Sequence, residues 1–230
     1  VSVVPYRDTQ PTRARPALDR EQIVRAALAL LDEVSLDALT MRLLAERLGV
    51  KAASLYRHVR DKQELLVLLA DEITAEIPIA DDGRPWRERL VDLAWSVRRG
   101  LLAHRDAARL IASLPPAGPR RLRAIDTVLG LMLSAGLTDR DAVRAAYHVN
   151  NFITEFVADE ARFAQAAEAA GKTRDELAAE ARQQLRSLPA DQYPNVTQLA
   201  DYLAGDEMDA LFQFGVDVWL EAIERLRQRA

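Results

Sequence analysis

Residues 39–62 read LTMRLLAERLGVKAASLYRHVRDK, and no other stretch constrains the fold as tightly. Thr40 is a favourable N-cap, and Leu44, Ala45 and Leu48 share one helical face. Gly49 then supplies a residue able to take positive φ where a helix stops. The pattern predicts a second short helix over 51–58, anchored by Val50, Leu55 and Val59, while Ala52, Ala53, Ser54, Tyr56 and Arg57 point elsewhere. Ala45 is small where the two helices must cross. Two helices joined by a short Gly-containing turn form the unit that lays its second helix in the DNA major groove. Small outward residues at Ala52 and Ala53 would let the backbone approach base edges, with Ser54, Tyr56 and Arg57 as hydrogen-bonding groups.

Charge supports that reading. Within this stretch Arg42, Arg47, Lys51, Arg57, Arg60 and Lys62 oppose Glu46 and Asp61, a local +4 in a chain of net charge −4. Up to Lys62 there are 11 Lys and Arg against 8 acids, and beyond it 20 against 27. Phosphate neutralisation supplies much of DNA affinity, so the basic end is where a duplex would be met. The alternative reading of the stretch is one helical hairpin of a larger core with a solvated basic edge.

Elsewhere the chain reads as helix after helix, and nothing resembles a strand, a repeat or a Gly-rich phosphate loop. Residues 1–18, with Pro5, Pro11, Pro16 and Arg7, Arg13, Arg15, are expected to be a mobile basic arm, able to reach a minor groove or simply solvated. Asp19 with Gln22, Asp61 with Glu64 and Thr138 with Asp141 have capping-box spacing and open three helices. The helix from Asp61 runs to Pro78 and should leave the DNA-binding unit for the next domain. The expected organisation is an all-α chain: arm 1–18, a three-helix helix-turn-helix domain 19–78, and a larger helical ligand-binding and dimerisation domain 79–230.

Two later helices carry little charge. One holds only Glu155 between Ala145 and Ala158, and the other spreads Leu211, Phe212, Phe214, Val216, Val218, Trp219 and Leu220 around its wheel. Such helices are buried on more than one side. We expect a twofold homodimer built from helices near 141–164 and 207–227. A central helix enclosed within a monomer is the competing explanation. The stretch 159–202, interrupted by Gly171, reads as exposed helix plus loop, able to act as a flap.

Against an enzyme stand three histidines, His58, His104 and His148, expected on three separate helices, no His-Glu-x-x-His, and no Ser in a nucleophile turn. No cofactor or metal site is expected. With no cysteine there is no disulfide framework, and no apolar run approaches a membrane span or a secretory signal, so a cytoplasmic location is expected.

The segment TMRLLAERLGVKAASLYRHVRDKQELL resembles the DNA-binding domain of the tetracycline-repressor (TetR) family of bacterial regulators. LLAHRDAARLIASLPP and the Phe-x-Phe-Gly from Phe212 to Gly215 resemble the subgroup that includes the tetracycline-binding members. The resemblance implies an all-helical homodimer on double-stranded operator DNA, usually released when the C-terminal domain binds a small molecule. Carried over, it puts Arg42, Lys51, Ser54, Tyr56, Arg57, His58 and Lys62 on the DNA face. Tyr56, His58 and Lys62 would hold phosphates, and Lys51, Ser54 and Arg57 would approach bases. Ala52 and Ala53 depart from the polar and proline residues of the tetracycline-binding members, which implies a different operator. Where those members hold drug-bound magnesium with a histidine, Ile111 stands here, and drug contacts of the preceding helix fall on Leu93 and Val97. An aliphatic side chain offers a metal no lone pair.

For the effector pocket the sequence points to Trp95, Leu110, Ile111, Leu114, Tyr147, Asn150, Asn151 and Phe152, apolar walls with two amides to orient a mostly apolar ligand. The expected function is a ligand-responsive transcriptional regulator, a repressor released from a palindromic operator. A ligand-binding or scaffold protein of the same fold that has lost DNA binding is the alternative.

Overall fold

Polar side chains that take up orphan backbone N–H groups set the starts of five helices. Asp19 accepts from Gln22 N at 2.8 Å, Thr40 from Leu43 N at 3.1 Å, Asp61 from Glu64 N at 2.8 Å, Thr138 from Asp141 N at 3.3 Å and Thr173 from Glu176 N at 3.2 Å. They open α1 (Arg20–Glu33), α2 (Met41–Leu48), α4 (Lys62–Glu76), α8 (Asp139–Ala169) and α9 (Arg174–Arg186). The remaining helices are α3 (Ala52–Leu55), α5 (Trp86–Leu102), α6 (Ala107–Ala112), α7 (Pro119–Ser134), α10 (Pro194–Gln198), α11 (Ala200–Leu203) and α12 (Met208–Arg227). The computed structural model describes residues 18–80, 82–205 and 207–229, and no strand is formed among them. The arm expected over 1–18 lies, apart from Leu18, outside the described residues.

Several expectations from the sequence are corrected. The second helix of the hairpin is one turn, Ala52–Leu55, continued by a turn to His58, rather than a helix over 51–58. His58 and His104 accordingly lie in turns, and only His148 is on a helix. Glu64 does not close a capping box on Asp61; its carboxylate accepts from Arg60 N at 2.7 Å and pairs with Arg20 of α1. The reciprocal box is instead at Thr173 and Glu176. The stretch expected as loop over 189–202 instead carries two short helices, α10 and α11, the second ending at Leu203.

One continuous apolar core runs from Ile23 of α1 to Ile223 of α12. In the N-terminal part α1 contributes Ile23, Ala27 and Leu31, α2 contributes Leu44 and Ala45, and Leu55 and Val59 close it from the other side. α4 serves both ends: Leu65, Leu69, Ala70 and Ile73 are fully buried, and α4 packs on α1 and also on α5, α6 and α7. Asp71 of α4, itself buried, accepts from the N–H groups of Arg120 and Arg121 at 2.9 Å each, so it caps the start of α7. Gly118 (φ +95°) must be glycine there, because a Cβ would run into the Asp71 carboxylate.

Polar contacts join the α5–α6 turn and α6 to the N-terminal helices. Asp106 Oδ2 accepts from Leu36 N at 2.8 Å, Asp32 Oδ1 from Arg105 N at 3.1 Å, and Arg109 forks onto Asp37 at 2.8 and 2.9 Å. Asp106 holds φ +57°, an unfavourable value for a non-glycine residue that these bonds sustain.

Deeper in the C-terminal part, Arg98 of α5 and Glu160 of α8 form a buried fork, with Arg98 Nε to Glu160 Oε2 at 2.9 Å and Nη2 to Oε1 at 3.0 Å. Asp209 of α12 takes Arg98 Nη1 at 2.7 Å. Trp95, Phe156 and Phe212 surround the guanidinium with ring centroids 5.0, 5.7 and 5.0 Å away. Breaking the fork leaves a buried charge short of a partner. Glu160→Ala is expected to lower unfolding stability in denaturant by about 3 kcal/mol, and Arg98→Met with Glu160→Leu by clearly less than that single change. Where α8 and α12 cross, Gly215 lies so close to the Phe152 ring that a Cβ would collide with it. Gly215→Ala should cost about 1–3 kcal/mol in the same measurement.

Candidate nucleic-acid interface and effector region

The hairpin geometry follows from its turn. Gly49 takes φ +65° as the C-cap of α2, its N–H meets Glu46 O at 3.1 Å, and Val50 N returns to Ala45 O at 3.0 Å. The chain then restarts at once, with Ser54 N donating to Lys51 O at 2.8 Å. Leu55 and Val59, fully buried, pin the second element to the core, and His58 N and Val59 N both reach Leu55 O at 2.9 Å. Pinning those two positions turns the intervening ones outward. Lys51, Ala53, Tyr56 and Arg57 are exposed, and Ala52, Ser54 and His58 are half-buried at the edge of the same face.

Ion pairs sort the basic residues. Arg47 forks onto Glu33 of α1, whose carboxyl is held below its usual range by that hydrogen bond, so Arg47 braces the hairpin. Arg42 makes only a long, exposed contact of 3.7 Å to Glu46, and Arg60 one of 3.2 Å to Asp61. Lys51 and Arg57 meet no carboxylate among the described residues. Lys62, half-buried, directs its Nζ to Leu36 O at 3.5 Å. The arrangement therefore leaves Arg42, Lys51 and Arg57 as outward cations around a small-residue surface, which suits phosphates flanking exposed base edges.

The eight residues expected to line a pocket do not gather in one place. Leu110, Ile111 and Leu114 are buried in the core that α6 makes with α4 and α8. Trp95 and Phe152 meet around Phe212: Trp95 stands edge-on to it at 5.1 Å, and Phe152 stacks on it at 5.6 Å. Trp95 Nε1 donates to Gln213 Oε1 at 2.8 Å. Tyr147, Asn150 and Asn151 are exposed, so the amides are not buried within the single chain as the sequence suggested. The helical period explains this, since α8 buries Ala145, Val149, Ile153 and Val157 four residues apart and turns 147, 150 and 151 away.

One set of exposed apolar side chains lies on two adjacent helices. Val143 and Tyr147 of α8 and Leu211, Phe214 and Val218 of α12 are at least half exposed, with spacings that place each set along one stripe. A shallow groove of about 620 Å³ follows α12 past Phe214, Val218 and Ala222. His148 stacks on Trp219 beside the α8 stripe, with ring centroids 5.8 Å apart. A second concavity of about 360 Å³, bordered by Glu160, Phe163, Arg174, Met208 and Asp209, opens over the Arg98 pair.

Arg98, Phe212 and Gln213 were missed as neighbours of Trp95, and Glu160 and Phe156 as neighbours of Arg98. The partners of Arg98 and Trp95 lie 62 and 118 residues away, a separation that helical periodicity does not encode.

Residues 23–69 match the family model for bacterial regulatory proteins, tetR family, and residues 78–227 match that for the tetracyclin repressor-like C-terminal domain. The tetracycline repressor protein class C of Escherichia coli is 35% identical over 215 residues, which cover 91% of this chain and 92% of that protein. Apo ActR from Streptomyces coelicolor superimposes with a TM-score of 0.82 at 30% identity, over 94% of this chain and 99% of that one. ActR in complex with actinorhodin gives 0.80 at 32% identity, over 91% and 96%. No helix among the described residues is long and apolar enough to cross a membrane. The chain therefore belongs to the tetracycline-repressor family of bacterial regulatory proteins and is a ligand-responsive, DNA-binding transcriptional repressor.

Proposed function

We propose that two copies of this chain grip a palindromic operator through residues 40–62, with Lys51, Ser54 and Arg57 reading bases and Arg42, Tyr56, His58 and Lys62 holding phosphates. Ala52 and Ala53 let the backbone come close. The observation that carries this reading is the pair of outward cations, Lys51 and Arg57, on a face whose opposite side is pinned by Leu55 and Val59. Lys62 would exchange its long contact with the Leu36 carbonyl for a phosphate oxygen. The boundary between the DNA-binding and effector units falls near 78–79, at the end of α4, and the twofold seam uses the α8 and α12 stripes. A twofold axis through that seam would set the two hairpins about 34–36 Å apart, one helical turn of DNA. A regulator of this kind works beside the chromosome, in the cytoplasm.

The effector we infer is a moderately sized, mostly apolar molecule, admitted beside Trp95, Phe152 and Phe212 through the concavity over Arg98. ActR, a structural neighbour of similar sequence, is known in complex with actinorhodin, which makes that molecule a suitable first probe. Ile111, aliphatic and buried, speaks against a magnesium-bound tetracycline.

With an operator obtained by selection from random duplexes, Arg57→Ala should weaken binding by about 1–3 kcal/mol and relax the base preference under it. Arg42→Ala should weaken all duplexes alike and lower the slope of log affinity against log salt by about 1. Equal, salt-independent affinities for the parent and both variants in gel-shift titrations would leave the DNA-binding face unsupported. For the effector, actinorhodin should quench tryptophan emission in the parent and much less in Trp95→Phe. Magnesium should add nothing to any response to tetracycline.

A further inference from the structure

His104 sits in the turn between α5 and α6, nearly enclosed, with both ring nitrogens facing carboxylates from the N-terminal helices. Nδ1 lies 3.3 Å from both oxygens of Asp32 at the end of α1, and Nε2 lies 2.8 Å from Glu76 Oε2 at the end of α4. A neutral imidazole carries one N–H and can satisfy one of these acceptors. The other nitrogen would then point a lone pair at a carboxylate. Only the imidazolium donates to both.

We propose that His104 is a proton-gated latch at the seam between the DNA-binding and effector units: protonated, it ties α1 and α4 to the α5–α6 turn, and on giving its proton to solvent it releases one of them. The biological consequence rests on the regulator reading above, because a stiff seam transmits an effector-induced shift to the hairpins better than a loose one. The latch itself is a property of the seam and needs neither DNA nor effector.

The charged surroundings are few. Asp32 faces the ring from α1 and Glu76 from α4; within the turn, Arg105 gives its backbone N–H to Asp32, and the Asp106 carboxylate is engaged by Leu36 N and Gln165. Arg109 of α6 is committed to Asp37. Burial disfavours the ring's charge, but the hydrogen bonds to Glu76 and Asp32 and their charges outweigh it, and the His104 pKa stands above its ordinary value. The tie is therefore complete below the unfolded-state value of about 6.5 and is lost as pH rises through the raised folded value.

The test uses the full-length chain, whose three histidines give a simple ring spectrum. His104 resonances, assigned by their loss in His104→Gln, should titrate with a midpoint above 6.5, and Asp32→Asn with Glu76→Gln should lower that midpoint by about one pH unit or more. In parallel, hydrogen exchange in segments 30–36 and 103–107, corrected for intrinsic rates, should rise several-fold from pH 6 to pH 9 in the parent. It should be fast at both pH values in His104→Gln. A midpoint at or below 6.5, or a parent seam whose exchange tracks that of His104→Gln at every pH, overturns the latch. A titrating seam in a chain that fails to bind DNA supports the latch while counting against the regulator reading, and an unresponsive seam sinks the latch whatever the DNA does.

Discussion

Burial of α4 on both sides of the molecule is the constraint from which the other arrangements follow. Leu65, Leu69 and Ile73 are fully buried, and the helix that carries them touches α1 at one end and α5, α6 and α7 along its length. A helix packed at interior density cannot slide by a fraction of an ångström without disturbing every neighbour. The two units therefore share a core rather than a linker, and a displacement beside α6 or α7 has a rigid path to the hairpin. Asp71 strengthens that path, because the residue that caps α7 is carried by α4.

Charge plays two separate roles in the structure. At the seam, Asp32, Asp37, Glu76 and Asp106 bind groups presented by the α5–α6 turn, α6 and the α1–α2 loop, and several of these contacts are open to solvent. Such contacts contribute modestly to stability and fix orientation. Inside the effector unit, the Arg98–Glu160 fork is buried beneath the smaller concavity and flanked by three aromatic rings, so its removal in halves is costly. The proposed DNA face is the complement of both: Lys51 and Arg57 meet no carboxylate among the described residues, which suits groups offered to a phosphate or a base edge on another molecule.

Local signals made much of this legible. Thr40, Gly49, Leu55 and Val59 define a cap, a left-handed stop and two anchors within twenty residues, and the hairpin is built on all four. The long helices were readable because their apolar positions repeat at 3.6 residues and their N-caps are short polar side chains. The effector region was not readable in the same way. Tyr147, Asn150 and Asn151 sit on a helix with so little charge that the sequence suggests burial on all sides, yet the single chain leaves that side open, the face on which we place the twofold seam. The Arg98 fork and the His104 contacts join residues 28 to 111 positions apart, which no window of local sequence records.

The proposed regulation depends on paired hairpins whose separation is set by the effector units through α4. Because the chain contains no cysteine, Glu21→Cys at an exposed position of α1 places one spin label in each DNA-binding unit. The distance between labels in the dimer, measured by pulsed electron resonance, should be broad in the free protein and collapse to one narrow peak when operator duplex is added. An absent dipolar signal, indicating a monomer, or a distribution that operator DNA leaves unchanged would contradict it.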